Sequence, residues 1–336
     1  MTKGIFDTTP SNFKERALET FVFQYQHNPT YRAYCNLLKV NTEEILELHQ
    51  IPFLPIGLFK TTKINTGNFE AEAIFESSGT TGSVNSKHFV KELALYEESF
   101  KTSFYHFYGN PKQYCILGLL PSYLEKGNSS LVYMVDQLIK ESHHESSGFF
   151  LYDHKQLAQI IQQNEAVGQK TILIGVTYAL LDFAEAFPMK LNHTIVMETG
   201  GMKGRKKEIT KTEMHELLKA KFLLEKVHSE YGMTELLSQA YSKADGIFET
   251  PQWMKILIRE EDDPLHTNPL SENETTGAIN VIDLANRFSC SFIATEDRGK
   301  LYPNGSFEVL GRLEDSDIRG CGLMILNKNV ISITNK

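Results

Sequence analysis

The feature that most limits what this chain can fold into is the order of its apolar runs. Ala71–Phe75, Tyr114–Leu120, Thr171–Ile174 and Thr194–Met197 are short and mostly apolar, Tyr114–Leu120 continuously so, and read as strands. A further short run, His88–Val90, follows the first of them. Between and after these runs, Lys91–Tyr108, Ser129–Lys140, Lys155–Glu165, Tyr178–Ala186 and Thr210–Ala220 carry apolar residues at helical spacing. Strands alternating with helices predict a parallel α/β sheet, because a parallel pair needs a long crossover and a helix supplies it. In such sheets ligands sit beyond the carboxyl ends of the strands. The polar loops at 77–87, 121–128 and 199–207 all follow strands, and so are expected to converge.

Residues 11–48 are helical in pattern, with a new helix start after Pro29, and Met233–Ala240 reads as a further helix. Ile51–Ile56 carries Pro52 and Pro55, which exclude a helix interior. From about Trp253 the helical period fades. Trp253–Arg259, Gly277–Asp283, Ser291–Thr295 and Ser306–Leu310 read as short strands separated by turns. The expected organisation is an α/β core over 1–250, a β-rich subdomain of the same large domain over 251–310, and a short tail over 311–336.

With 41% hydrophobic and 23% charged residues, the chain has the composition of a soluble globular protein with a sizeable core. The net charge of −8 leaves no basic footprint for nucleic acid. No apolar run approaches the ~20 residues that span a bilayer, and the N-terminal stretch does not resemble a secretory signal. Cys35, Cys115, Cys290 and Cys321 form no C-x-x-C pair, which fits free thiols in a reducing cytoplasm. His143 and His144 lack the partners of a metal site and read as a solvated loop.

Four stretches carry chemistry. Glu76–Lys87 opens from a strand into Ser77, Ser78, Gly79, Thr80, Thr81 and Gly82, with Lys87 five positions on. Glycines let backbone N–H groups approach a polyphosphate, hydroxyls donate to its oxygens, and the lysine adds charge. The spacing is not that of a Walker A loop. The bland alternative is a surface turn. Thr199–Lys207 sets Gly200 and Gly201 among basic residues, as either a nucleotide-contacting loop or a solvated turn. His228–Glu235 places Tyr231, Gly232, Thr234 and Glu235 together: a ring to stack on a purine, a hydroxyl for phosphate and a carboxylate for Mg²⁺. Its alternative is a helix start, where Thr and an acid are common. Asp297 and Arg312 could hold a ribose between them, or could sit in two turns with surface charges.

Taken in order, these stretches resemble the motifs of the adenylate-forming superfamily. Ile51–Lys60, Leu120–Leu131, Gly200–Lys206 and Gly311–Leu323 resemble more narrowly the LuxE-type acyl-protein synthetases of the bacterial fatty-acid reductase complex. The resemblance implies ATP- and Mg²⁺-dependent activation of a carboxylic acid, a fatty acid by preference, as an acyl-adenylate. Thioester transfer to an enzyme cysteine and onward to a partner then follows.

Residue by residue it implies that Ser77–Gly82 and Lys87 hold the β- and γ-phosphates, and that Gly200 and Gly201 line the adenine and acyl region. Tyr231 stacks on adenine, Thr234 touches phosphate, Glu235 binds Mg²⁺, and Asp297 with Arg312 holds the ribose. Only 24 residues follow Arg312, where most adenylate-forming enzymes carry a lid domain. Cys321, between two glycines and near Arg319, becomes the expected acyl acceptor. The alternatives are an aryl- or phenylacetate-CoA-ligase-like enzyme that transfers to CoA or a carrier-protein thiol, and a non-catalytic acyl- or nucleotide-binding subunit. The final acceptor, whether a reductase, a carrier protein or CoA, is not written in the sequence.

Overall fold

The structure, a computed structural model, describes residues 4–77, 84–121, 125, 127–200 and 210–313. The helices are α1 (Phe13–His27), α2 (Pro29–Leu37), α3 (Leu58–Thr61), α4 (Leu93–Tyr108), α5 (Ser130–Ser142), α6 (His154–Val167), α7 (Thr177–Ala186) and α8 (Lys211–Phe222). The strands begin with β1 (Leu54–Pro55), β2 (Ala73–Glu76), β3 (Lys87–Val90), β4 (Cys115–Leu119), β5 (Gly148–Phe149), β6 (Thr171–Val176) and β7 (Thr194–Thr199). They continue with β8 (His228–Tyr231), β9 (Ala240–Ser242), β10 (Ile247–Glu249), β11 (Met254–Arg259), β12 (Thr275–Asp283), β13 (Phe292–Leu301) and β14 (Phe307–Arg312). The chain forms two compact units. One draws on residues up to Glu72, on Ser86–Lys91 and on the chain from Gln252 onward; the other takes Ala73–Asn85 and Glu92–Pro251.

The second unit is the α/β body that the alternating pattern predicts. β5, β4, β6, β7 and β8 lie side by side and parallel, and β9 and β10 continue the sheet antiparallel. Every residue of β4 is buried, as a strand covered on both faces requires. Leu117, Leu119, Leu173 and Val196 meet Leu157, Ile161, Leu180, Phe183, Leu218 and Phe222 in one core. The helix ends are set locally. Ser129 and Asp153 accept from backbone N–H groups at the starts of α5 and α6. Thr210 and Glu213 form a reciprocal capping box at α8.

The first unit is β-rich, with β11, β12, β13 and β14 in antiparallel order and β1 parallel to β13. Helices α1 and α2 pack on it through an aromatic knot. Tyr31 stacks on Phe292 at 6.0 Å, Phe21 and Phe53 meet the same ring edge-on, and the Tyr31 hydroxyl donates to the Pro52 carbonyl at 2.6 Å. Gln24 reaches out of α1 to the 286–291 segment, donating to the Arg287 carbonyl at 2.9 Å and accepting from the Ser291 N–H at 2.9 Å. The buried guanidinium of Arg259 ties three strands together. It donates to the Ile279 carbonyl and to Asn280 Oδ1, each at 2.8 Å, and to the Thr295 carbonyl at 2.5 Å.

Two expectations are corrected. Met233–Ala240 is not a helix. It is the turn that carries the chain from β8 back into antiparallel β9, held by a Leu236 N–H to Met233 carbonyl bond at 3.1 Å. Glu296–Gly299 is not a turn but the middle of β13, a ten-residue strand. Among the described residues no helix is long and apolar enough to cross a membrane.

Candidate functional site

Parallel strands end on the same side of their sheet, and here Gly200, Tyr231, Gly232, Thr234 and Glu235 lie. Register pairs Thr199 with Glu230, so Gly200 and Tyr231 leave β7 and β8 side by side. Gly200 takes φ +70°, where a side chain would strain the backbone, and its carbonyl accepts from Thr177 Oγ1 at 2.6 Å. Tyr231 is buried edge-on to Phe248 at 5.9 Å. Gly232, Thr234 and Glu235 follow on the turn, with the Glu235 carboxylate mostly covered. Leu120 and Pro121 leave β4 at the same edge. Asn128 pairs with Glu76, one residue before Ser77: Glu76 N–H donates to the Asn128 carbonyl at 2.8 Å, and Asn128 Nδ2 donates to Glu76 Oε2 at 3.2 Å.

Lys87, Asp297 and Arg312 belong to the first unit. Lys87 is exposed at the start of β3. Asp297 and Arg312 are direct cross-strand partners, with Arg312 Nε 3.9 Å from Asp297 Oδ1 and Nη2 2.6 Å from Glu296 Oε2. That pairing depends on a bulge. Arg298 faces Gly311 but Gly299 faces Val309, so Leu310 is the extra residue. Gly311 absorbs the distortion at φ +143°, a conformation L side chains rarely adopt. Ser78, Gly79, Thr80, Thr81, Gly82, Gly201 and Cys321 lie outside the described residues.

Sequence reasoning missed a second set of groups beside this edge. Glu198 is buried and paired with Lys211 at 2.9 Å, whose ammonium also lies 4.6 Å from the Phe248 ring centre. His215 Nε2 sits 3.3 Å from Ser229 Oγ, and burial lowers its pKa. Glu230 is buried and makes no salt bridge among the described residues. Burial first, and the Glu198 charge second, push its pKa from 4.5 up to about 8 against the opposing pull of Lys211. His228, hydrogen-bonded to the Tyr108 hydroxyl at 3.2 Å, is lowered to about 4 by burial and by Lys226 and Lys243. A carboxylate in a sequence carries no mark of its burial, so neither Glu198 nor Glu230 could be singled out beforehand. Among the described residues no cluster of three or more His, Cys, Asp or Glu side chains could hold a metal.

This donor set suits a nucleotide with one carboxylate-held divalent ion. It offers an aromatic face at a strand end, a glycine-lined backbone and a covered carboxylate on the adjoining turn. A family model described as "Acyl-protein synthetase, LuxE" matches residues 6–330. A long-chain-fatty-acid–luciferin-component ligase of Photorhabdus luminescens is 41% identical over 70 residues, which is 20% of this chain and 60% of that one. A 2-hydroxyisobutyryl-CoA ligase solved in its postadenylation state has a TM-score of 0.59 at 11% identity, covering 91% of this chain and 68% of its own. The o-succinylbenzoate CoA synthetase of Bacillus subtilis, solved with AMP, gives 0.46 at 17% identity over 72% of this chain and 49% of its own. The 2-hydroxyisobutyryl-CoA ligase likeness shows a shared α/β fold. The matches span 60% of the curated relative and about half of the Bacillus enzyme.

Proposed function

The chain belongs to the LuxE family of acyl-protein synthetases, and from that membership we propose that it activates a long-chain fatty acid with Mg-ATP and passes the acyl group to a thiol. The carboxylate oxygen attacks the α-phosphorus, the bond to pyrophosphate breaks, and an acyl-adenylate forms. A cysteine thiolate then attacks the acyl carbon, the bond to AMP breaks, and a thioester remains. The nucleophile of the first step is already anionic, so the protein has little acid–base work to do. It must hold charge in place.

In this reading Tyr231 stacks on the adenine, Gly200 and Gly201 line the base and acyl region, and Asp297 with Arg312 holds the ribose. Ser77–Gly82, Lys87 and Thr234 contact the phosphates. Glu235 would hold Mg²⁺, which when bound neutralises phosphate charge. Cys321 takes the acyl group and hands it to a partner, for which a reductase is the natural reading of the luciferin-component ligase relative. The observation that carries the proposal is the meeting of Gly200, Tyr231 and the Glu235 turn at the carboxyl edge of parallel strands.

The test is incubation with Mg-ATP and radiolabelled fatty acids of several lengths, comparing wild type, Cys321→Ser and Glu235→Gln. Pyrophosphate release with a hydroxylamine-labile protein label is expected in the wild type. Cys321→Ser should keep release and lose the label, and Glu235→Gln should lose both. Release without label in any form would move the acceptor to an external thiol such as CoA or a carrier protein. No release with any acid, with ATP still bound, would leave a non-catalytic binding subunit.

A further inference from the structure

Register sets Thr199, Glu230 and Tyr241 abreast on β7, β8 and β9. Residues paired across neighbouring strands share a face, so these side chains form a row. Gln239 enters just before β9. All four are buried. Thr199 Oγ1, Tyr241 Oη and Gln239 Oε1 find no hydrogen-bond partner among the described residues, and Glu230 makes no hydrogen bond to any of them. Each buried polar group left unpaired costs stability, and native folds keep few of them. Three such oxygens around one buried carboxyl are therefore a place where stability is given up.

The same carboxyl touches the candidate site. A Cβ on Gly232 would lie 2.3 Å from Glu230 Oε1 and 3.2 Å from Gln239 Cγ. The carboxyl thus occupies the space that any side chain at 232 would need. Gly232 is the first residue of the turn that carries Thr234 and Glu235.

We propose that Glu230 is a positioning residue: its un-ionised carboxyl seats the Gly232 turn and so sets the places of Thr234 and Glu235. A carboxylic acid has one O–H to donate, and Gln239 Oε1 and the Tyr241 oxygen beside it are unpaired acceptors. A carboxylate could only accept, and would leave Gln239 Oε1 without a donor. Charge argues the same way. The reaction brings two anions, ATP and the acid, to this edge, and an ionised Glu230 behind Gly232 would repel both. The groups facing Glu230 favour the neutral form on balance. Glu198 on β7 disfavours a second negative charge, Lys211 on α8, already paired with Glu198, opposes it, and Tyr96 and Tyr108 on α4 and Tyr241 on β9, their own pKa values raised, stay neutral and bring no positive charge. His228, on the same strand as Glu230, hydrogen-bonds Tyr108 and has a lowered pKa, so it adds no positive charge at neutral pH.

This inference rests on the adenylation reading. The experiment compares wild type, Glu230→Gln and Glu230→Ala by ATP–pyrophosphate exchange across about pH 6 to 9.5, and by amide hydrogen-exchange protection of residues 232–239 in the unliganded protein. Wild-type exchange should fall along a one-proton alkaline limb with its midpoint near 8. Glu230→Gln, which cannot ionise but can still donate, should retain exchange and lose that limb. Glu230→Ala should fall about tenfold or more at every pH, mainly in kcat. Protection of 232–239 should drop above about pH 8 in wild type, hold in Glu230→Gln, and be low throughout in Glu230→Ala. A Glu230→Gln limb that tracks wild type, or Glu230→Ala with wild-type exchange and protection, would overturn the proposal. If no acid supports exchange in wild type, the adenylation reading fails. The protection data then decide separately whether Glu230 seats the turn: unaltered protection in Glu230→Ala refutes it.

Discussion

Glu230→Gln should make the unliganded protein more stable at alkaline pH than wild type while changing little near pH 4. The carboxyl is raised from 4.5 to about 8, with burial as the first cause. Between those two values the folded protein holds a proton that the unfolded chain has released. Stability from this group is therefore full below the unfolded value and is lost as pH rises through the folded one. At 1.36 kcal/mol per unit, the wild type should lose about 2 kcal/mol between about pH 5 and 7 and about 4 kcal/mol by about pH 9. Glutamine occupies nearly the same volume and has no such titration. The lowered histidines His215 and His228 titrate alike in both proteins and cancel in the difference. Urea unfolding at several pH values reads the effect directly. The variant-minus-wild-type stability should climb by about 2 kcal/mol from about pH 5 to 7 and keep climbing. A difference flat to within about 0.5 kcal/mol over that range would mean that Glu230 is ionised or solvated in the fold, and the electrostatic reasoning would fall.

Two other outcomes follow from the structure. Cys35, Cys115 and Cys290 are buried with their thiol pKa values raised, so iodoacetamide under native conditions should leave all three unmodified, as peptide mass spectrometry would show. Arg259→Met should cost about 2–4 kcal/mol in urea unfolding, because it strips the donor from the Ile279, Asn280 and Thr295 acceptors; a loss below about 1 kcal/mol would mean that water replaces the guanidinium.

The parallel body was legible because its strands are buried on both faces and so read as unbroken apolar runs. β4 and β6 show this most clearly. The turn after Tyr231 was misread for a physical reason. Met233, Leu236, Leu237 and Ala240 recur at helical spacing, yet the antiparallel pairing of β9 with β8 forces the chain to reverse there. Glu296–Gly299 looked like a turn because charged residues and glycine mark turns. Its strand conformation comes from long-range pairing with β12 and β14 on either side. Asp297 and Arg312 stand out in the sequence as a possible ribose-holding pair, and the ladder register makes them neighbours. What stayed hidden was the unpaired row under the edge. Its meaning depends on burial and on which strands adjoin, and neither is local in sequence.

The bulge at Leu310 has a consequence for how this segment can change. Side chains on a strand alternate between faces, and with Leu310 present Arg312 meets Asp297 because the bulge takes up the extra residue. Losing the bulge with Leu310 still present would set Gly311 opposite Asp297 and swing the guanidinium to the opposite side of the sheet, whereas deleting Leu310 would leave a regular ladder with Arg312 still opposite Asp297. Leu310 is thus a residue this hairpin can shed without changing which side chains meet, and the unusual backbone of Gly311 is needed only while that extra residue is there.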